Sequence, residues 1–428
     1  MLRLALVFAF STLCLAPVFA ENGEILDLNS GTPANPRTPP ATQSPDAKAN
    51  PPKTASEVDE PGFKASVKFT GNPTPKYDQS TNNANPINGP KGKAWSVPLE
   101  EGSAGPARSA NGEEAPPTAP AEKAAPVPEY ISPALANAIA REKAGARPVE
   151  MIPVYRAIAK SEGESASTRY RLGLALIHGG ELQNGLVELE AAIAMEPKNP
   201  KYLCDYGVAA LRAGWIEKSF AACQTATSIT PGSARYQSAL GDVHLAAQHL
   251  DNAVESYTRA VKLDPDNPAY FYNLGLAFMR KGDFKRAVDV FAEATRLKPM
   301  PAYYCSMGLA YENMKNHKNA IECYVAALKL DKNYAYAHYL FAGIFSDGED
   351  PTYTNKFEAI EHAQKAVKLT DSKNAQYLMG LARAYRIARD YDRATANAKK
   401  AVELEPTRPD LRREYAEIEQ SKMQGLAK

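Results

Sequence analysis

The sequence predicts an all-α solenoid of stacked helix-turn-helix units, preceded by a leader and a long segment that does not fold alone. Three observations carry this reading. Gly173, Gly207, Gly241, Gly275 and Gly308 recur at spacings of 34, 34, 34 and 33 residues. Pro197, Pro231, Pro265 and Pro299 recur every 34, and Ala192, Ala226, Ala260, Ala294 and Ala327 each fall nineteen residues after their glycine. Between these markers the apolar residues keep helical spacing, and a fixed period of this size is the mark of a repeat array.

One unit shows how the period becomes structure. Tyr270 to Lys281 reads as a first helix and Asp283 to Leu297 as a second. Asn267-Pro268 starts the first, Gly282-Asp283 breaks between them, and Lys298-Pro299 ends the second. The recurring glycine and alanine belong where the two antiparallel helices cross, because only small side chains let backbones approach. A single hairpin cannot bury both of its faces, so stacking must supply the core.

From the N-terminus, residues 1–20 read as a signal peptide. Arg3 is a short positive region, Leu4 to Leu15 is the apolar run, and Val18-Phe19-Ala20 places small residues at a cleavage site. The alternative is a lipoprotein anchored at Cys14, which the bulky Leu13 before it disfavours. No later stretch is apolar enough to span a bilayer. Residues 21–131 form a Pro/Ala/Asn-rich stalk expected to be disordered. Twenty of the chain's 33 prolines lie between Glu21 and Pro133, with ten Lys/Arg against fourteen Asp/Glu. This composition buries too little apolar surface to offset chain entropy. Two short stretches, Phe63 to Gly71 and Lys93 to Leu99, are the only candidates there for docking motifs.

Residues 132–165 read as a degenerate capping helix pair. Seven units follow over 166–408: 166–199, 200–233, 234–267, 268–300, 301–334, 335–374 and 375–408. The sixth carries Ala342 in place of the glycine and an insertion of roughly five residues within Ser346 to Asn355. Residues 409–428 form a charged C-terminal capping helix, as the exposed end of a solenoid requires.

These units resemble the tetratricopeptide-repeat family. In the fourth, Leu274-Gly275, Phe278, Ala287, Phe291, Ala294 and Pro299 match the family pattern. The third matches at Leu240-Gly241, Ala253, Tyr257, Ala260 and Pro265, and the fifth at Met307-Gly308, Tyr311, Ala320, Tyr324 and Ala327. The resemblance implies a right-handed superhelix that binds a protein, peptide or helix in its concave groove, lined by unit positions 2, 5, 9, 12 and 13. Position 9 gives Leu174, Val208, Asp242, Leu276, Leu309, Gly343 and Arg383. Position 5 gives Tyr170, Cys204, Ser238, Tyr272, Cys305, Tyr339 and Met379. Position 13 adds Arg212 and Arg280. Among these, Tyr170, Leu174, Val208, Arg212, Tyr272, Leu276, Arg280, Leu309, Tyr339 and Arg383 are the expected contacts.

The remaining chemistry is sparse. A formal charge of +1 removes the electrostatic case for nucleic-acid binding. The six histidines do not pair at metal-ligand spacing, and no phosphate loop or nucleophile motif occurs. Neither a cofactor nor a metal is expected, and the chain reads as a non-enzymatic scaffold of a bacterial periplasm or cell envelope. The alternative is a module that captures a small molecule or glycan. Nothing in the sequence fixes an oligomeric state. Cys204 and Cys223 occupy positions 5 and 24 of one unit, and Cys305 and Cys323 positions 5 and 23 of another. Each pair sits at nearly one height of its hairpin, so two intra-unit disulfides are candidates in an oxidising compartment.

Overall fold

The computed structural model describes residues 18–19, 25–26, 131–163, 165–346 and 352–426. Among them are seventeen helices and one two-residue antiparallel strand pair, Val18–Phe19 with Ile25–Leu26. Apart from those four residues, the expectations for the leader and the stalk concern residues outside the described set. So does Asp347 to Pro351 of the insertion.

Two helices, α1 (Pro133–Lys143) and α2 (Pro148–Glu162), precede the repeats. Seven hairpins follow: α3 (Ala166–His178) with α4 (Leu182–Met195), α5 (Pro200–Arg212) with α6 (Ile216–Ile229), and α7 (Ala234–Ala246) with α8 (Leu250–Leu263). Then come α9 (Pro268–Lys281) with α10 (Phe284–Leu297), α11 (Pro301–Asn313) with α12 (His317–Leu330), α13 (Ala335–Ser346) with α14 (Lys356–Leu369), and α15 (Ala375–Ile387) with α16 (Tyr391–Leu404). Helix α17 (Pro409–Leu426) closes the array. None of the described helices is long and apolar enough to cross a membrane.

Local chemistry sets the helix starts. Asn199 and Asn267 accept backbone N–H bonds at the first turns of α5 and α9, with Pro200 and Pro268 at the first helical position. Asp283, Asn316 and Asp390 cap the second helices of their units in the same way. Gly282 takes φ +80° at the turn after α9, a conformation that glycine adopts without steric cost.

Steric complementarity closes each hairpin. A Cβ on Gly275 would lie 2.4 Å from Phe291 Cε1, and one on Gly308 would lie 2.4 Å from Tyr324 Cε1. Gly241 faces Tyr257 in the same way, Gly207 faces Cys223 Sγ, and Gly173 faces Leu189. Units six and seven use the opposite partition. Buried Ala342 and Ala382 replace the glycine, and buried Ala363 and Ala398 stand where the earlier units carry a large residue. Small against large, or medium against medium, fills the same gap at close-packed density.

Both ends are capped. Leu135, Met151, Tyr155 and Ile158 share a core with Leu172, Ala175 and Leu176 of α3. At the far end Leu411 and Ile418 of α17 are buried with Leu378, Leu381 and Tyr385 of α15.

Candidate functional site

The first helices of successive units carry the residues expected on the groove, and the structure sorts them into three groups. Leu174, Val208, Leu276 and Leu309, at position 9, are half-buried. They repeat on the first helix of units one, two, four and five, neither sealed in the core nor fully exposed.

The tyrosines behave differently. Tyr170, Tyr272 and Tyr339 are only 3%, 6% and 9% exposed. Each packs on a tyrosine at position 3 of the next unit: Tyr170 on Tyr202 at 4.5 Å between ring centroids, Tyr272 on Tyr303 at 4.8 Å, and Tyr339 on Tyr377 at 5.1 Å. The Tyr272 hydroxyl also accepts a hydrogen bond from Ser306 Oγ at 3.2 Å, and Gln376 donates to the Tyr339 hydroxyl at 3.3 Å. Position 5 therefore serves the seam between units. The expectation of open groove contacts for Tyr170, Tyr272 and Tyr339 did not anticipate how closely the next first helix approaches.

The arginines separate as well. Arg383 donates to both carboxylate oxygens of Glu414 and so holds α17 against α15. Arg280 is engaged and lies within electrostatic reach of Tyr257. Arg212 is half-buried and makes no hydrogen bond or ion pair among the described residues. Burial alone lowers its affinity for its proton, with no carboxylate acting against that.

Two carboxylates complete the picture. Asp242 interrupts the aliphatic row at position 9. Its Oδ1 accepts the Tyr257 hydroxyl at 2.6 Å, and burial still pushes its pKa up to about 7. Asp205, buried at position 6 of the second unit, accepts from the Tyr170 hydroxyl of the first unit and from Arg235 of the third. One side chain thereby ties three consecutive units. Asp205 was not among the residues singled out from sequence. Its signal was an acid inside an apolar helix, with a tyrosine 35 residues before and an arginine 30 after.

Cys204, Cys223, Cys305 and Cys323 are buried free thiols. The candidate bridges are not formed in this structure. Cys223 Sγ lies over Gly207, the position 8 glycine of its unit. Burial is the main cause that pushes the Cys223 and Cys323 thiols up to about 12, and it holds Cys204 and Cys305 well above the usual thiol range. Charge on Cys223 would raise Cys204 further, and Cys323 does the same to Cys305, so each pair is close in space. Among the described residues, no cluster of three or more metal-ligating side chains occurs.

A further polar cluster sits in the sixth unit. His338 and His362 meet through their Nδ1 atoms at 2.8 Å. His338 Nε2 lies 3.0 Å from the Lys332 carbonyl, which can only accept, so that nitrogen carries the proton. His338 Nδ1 is then the acceptor and His362 the donor. Phe341 stacks on His362 at 4.3 Å.

Models of the tetratricopeptide repeat match residues 238–299, 301–334 and 375–408. No curated protein matches the sequence. Among solved structures, yeast Tom70 is similar with a TM-score of 0.51 and 17% identity, over 65% of this chain and 59% of that one. The APC/C hetero-tetramer Cut9-Hcn1 gives a TM-score of 0.47 at 19% identity, over 59% of this chain and 48% of that one, about half its length. Pseudomonas aeruginosa pilF gives 0.43 at 21% identity, over 52% of this chain and 97% of that one. At these identities the likeness is one of fold. The repeat models, the seven hairpins and the glycine-to-aromatic crossings of the third, fourth and fifth agree: the chain belongs to the tetratricopeptide-repeat family.

Proposed function

We propose that this protein is a non-enzymatic scaffold that holds an extended peptide or an amphipathic helix of another protein in its groove. The half-buried aliphatic row of Leu174, Val208, Leu276 and Leu309 carries the reading. An elongated apolar strip between polar rims suits a peptide or helix laid along it. A compact ligand such as a glycan would call for aromatic platforms, and the tyrosines Tyr170, Tyr272 and Tyr339 are taken up between units.

The leader signature at residues 1–20 supports an exported protein of the periplasm or cell envelope. Amino-terminal sequencing of the protein from a fractionated cell tests this, with Glu21 expected as the first residue. For the groove, a photo-crosslinking amino acid at position 276 should trap the partner. The same group at the exposed Lys329 of α12 should not. Trapping from position 329 alone would refute the groove assignment.

A further inference from the structure

Of the three arginines expected on the groove, Arg383 is clamped by Glu414 and Arg280 is engaged. Arg235, at position 2, is neutralised by Asp205. Arg212 alone of these four is left with its charge half-buried and uncompensated among the described residues. A cation withdrawn from water without a counter-ion is unfavourable, and the chain elsewhere pairs such groups. Arg212 stands at position 13 of its unit, one turn beyond Val208 of the apolar row. At the same position His178 precedes it by one unit and Ala246 follows it by one.

We propose that Arg212 receives the side-chain carboxylate of a glutamate or aspartate in an internal stretch of the bound segment, which lays apolar residues on Val208 and its row. This rests on the groove reading above. The planar guanidinium presents paired N–H donors that match a carboxylate two-to-two, and a half-desolvated setting strengthens such charge-assisted bonds. Burial, then the charge on Arg212, hold His178 below its ordinary pKa. The histidine is therefore within the field of Arg212 and is held in its neutral form, so it adds no second cation beside the guanidinium. No carboxylate hydrogen-bonds to Arg212, so the ligand has no internal pair to break.

The test is a random twelve-residue library displayed on phage, with its carboxyl end fused so that only internal residues can bind. Panning on the purified protein should enrich one Asp or Glu at a fixed distance from apolar residues. Panning on Arg212→Gln should lose that enrichment. The best peptide, synthesised with an amidated end, should bind about tenfold to a hundredfold more weakly to Arg212→Gln, as expected for loss of a charge-assisted bond. Arg212→Lys should fall between, and Arg259→Gln on α8 should match the unmodified protein. Enrichment of apolar peptides without an acid, or acid enrichment that survives in Arg212→Gln, overturns the proposal and leaves the groove standing. If the selected peptides bind equally to a Leu276→Asp variant, the groove reading falls as well, as it does if nothing is enriched. Selection of sequences matching residues 98–115 would make the chain's own N-terminal segment the occupant and would overturn assignment to a separate partner.

Discussion

Gly275→Ala should destabilise the fourth unit, whereas Gly343→Ala in the sixth should stabilise. Both glycines lie inside first helices, and alanine there gains about 1 kcal/mol of helix propensity over glycine. The surroundings differ. A methyl at Gly275 would sit 2.4, 2.6 and 2.9 Å from three carbons of the Phe291 ring. Carbon atoms pack best at roughly 3.5–4.0 Å, so the ring must retreat by about 1 Å. Phe291 is fully buried, and its centroid lies 5.6 Å from that of Tyr272, which itself packs on the next unit. Overpacking of this kind costs about 1–3 kcal/mol. A methyl at Gly343 would meet nothing within 4 Å. The propensity gain is common to both variants, so their difference isolates the packing cost, about 1–3 kcal/mol. Urea unfolding followed by circular dichroism reads that difference, and hydrogen exchange of α9 and α10 localises it. Adding Phe291→Leu to Gly275→Ala should recover part of the loss, giving a non-additive pair. Equal midpoints for Gly275→Ala and Gly343→Ala would refute the steric account of the repeat glycine.

The histidine pair predicts acid sensitivity. Burial, then His338 and Lys365, lower His362 to about 4 against the opposing charge of Glu361. The unfolded chain, with a histidine pKa of about 6.5, binds a proton in a range where the folded chain does not. Stability should therefore be full above about pH 6.5 and fall by roughly 3 kcal/mol as the pH approaches 4. His362→Gln should flatten that dependence, and an unchanged pH profile would count against it. All four thiols should resist iodoacetamide at pH 8 in the native protein and react fully in urea, because their burial suppresses the thiolate. Mass spectrometry counts the adducts, and rapid native labelling would show that the cysteines are accessible. Glu414→Ala should leave Arg383 without its carboxylate in a partly buried setting, costing about 1–3 kcal/mol, and exchange in α17 should rise before that of the other helices. Uniform exchange across the array would mean that the pair is not what holds the end helix.

The unit length, the hairpin and the crossing were legible because each is a local constraint. A glycine forced by close contact across the hairpin, as with Tyr257, Phe291 or Tyr324, leaves the same letter at the same place in the first five copies. The departures were legible too, once read in pairs: Ala342 implies a smaller residue opposite, and Ala363 supplies it. What sequence did not reveal was the seam between units. Tyr170 and Tyr202 are 32 residues apart, and nothing local says that a position 5 ring reaches a position 3 ring of the next copy. The distance from one first helix to the next was not available from the letters alone. For the same reason Asp205 was not singled out, although it is buried and joins three units.

That seam explains which residues are left to meet a partner. Stacking first helices side by side buries positions 3, 5 and 6 and favours pairing of the polar groups there, since unpaired buried polar atoms are costly. Tyr170, Asp205 and Arg235 satisfy one another, as Ser306 and Tyr272 do. Positions 9 and 13 lie one and two turns further along the same helices. Pairing there is uneven: Asp242 and Arg383 at position 9 bind Tyr257 and Glu414, whereas the aliphatics of position 9 and Arg212 at position 13 stay half-buried. On the proposed groove reading, recognition would fall to the residues that the stacking leaves unsatisfied. A substitution at position 5 should act first on stability, as should one at Asp242 or Arg383, and one at Leu174, Val208, Arg212, Leu276 or Leu309 first on binding.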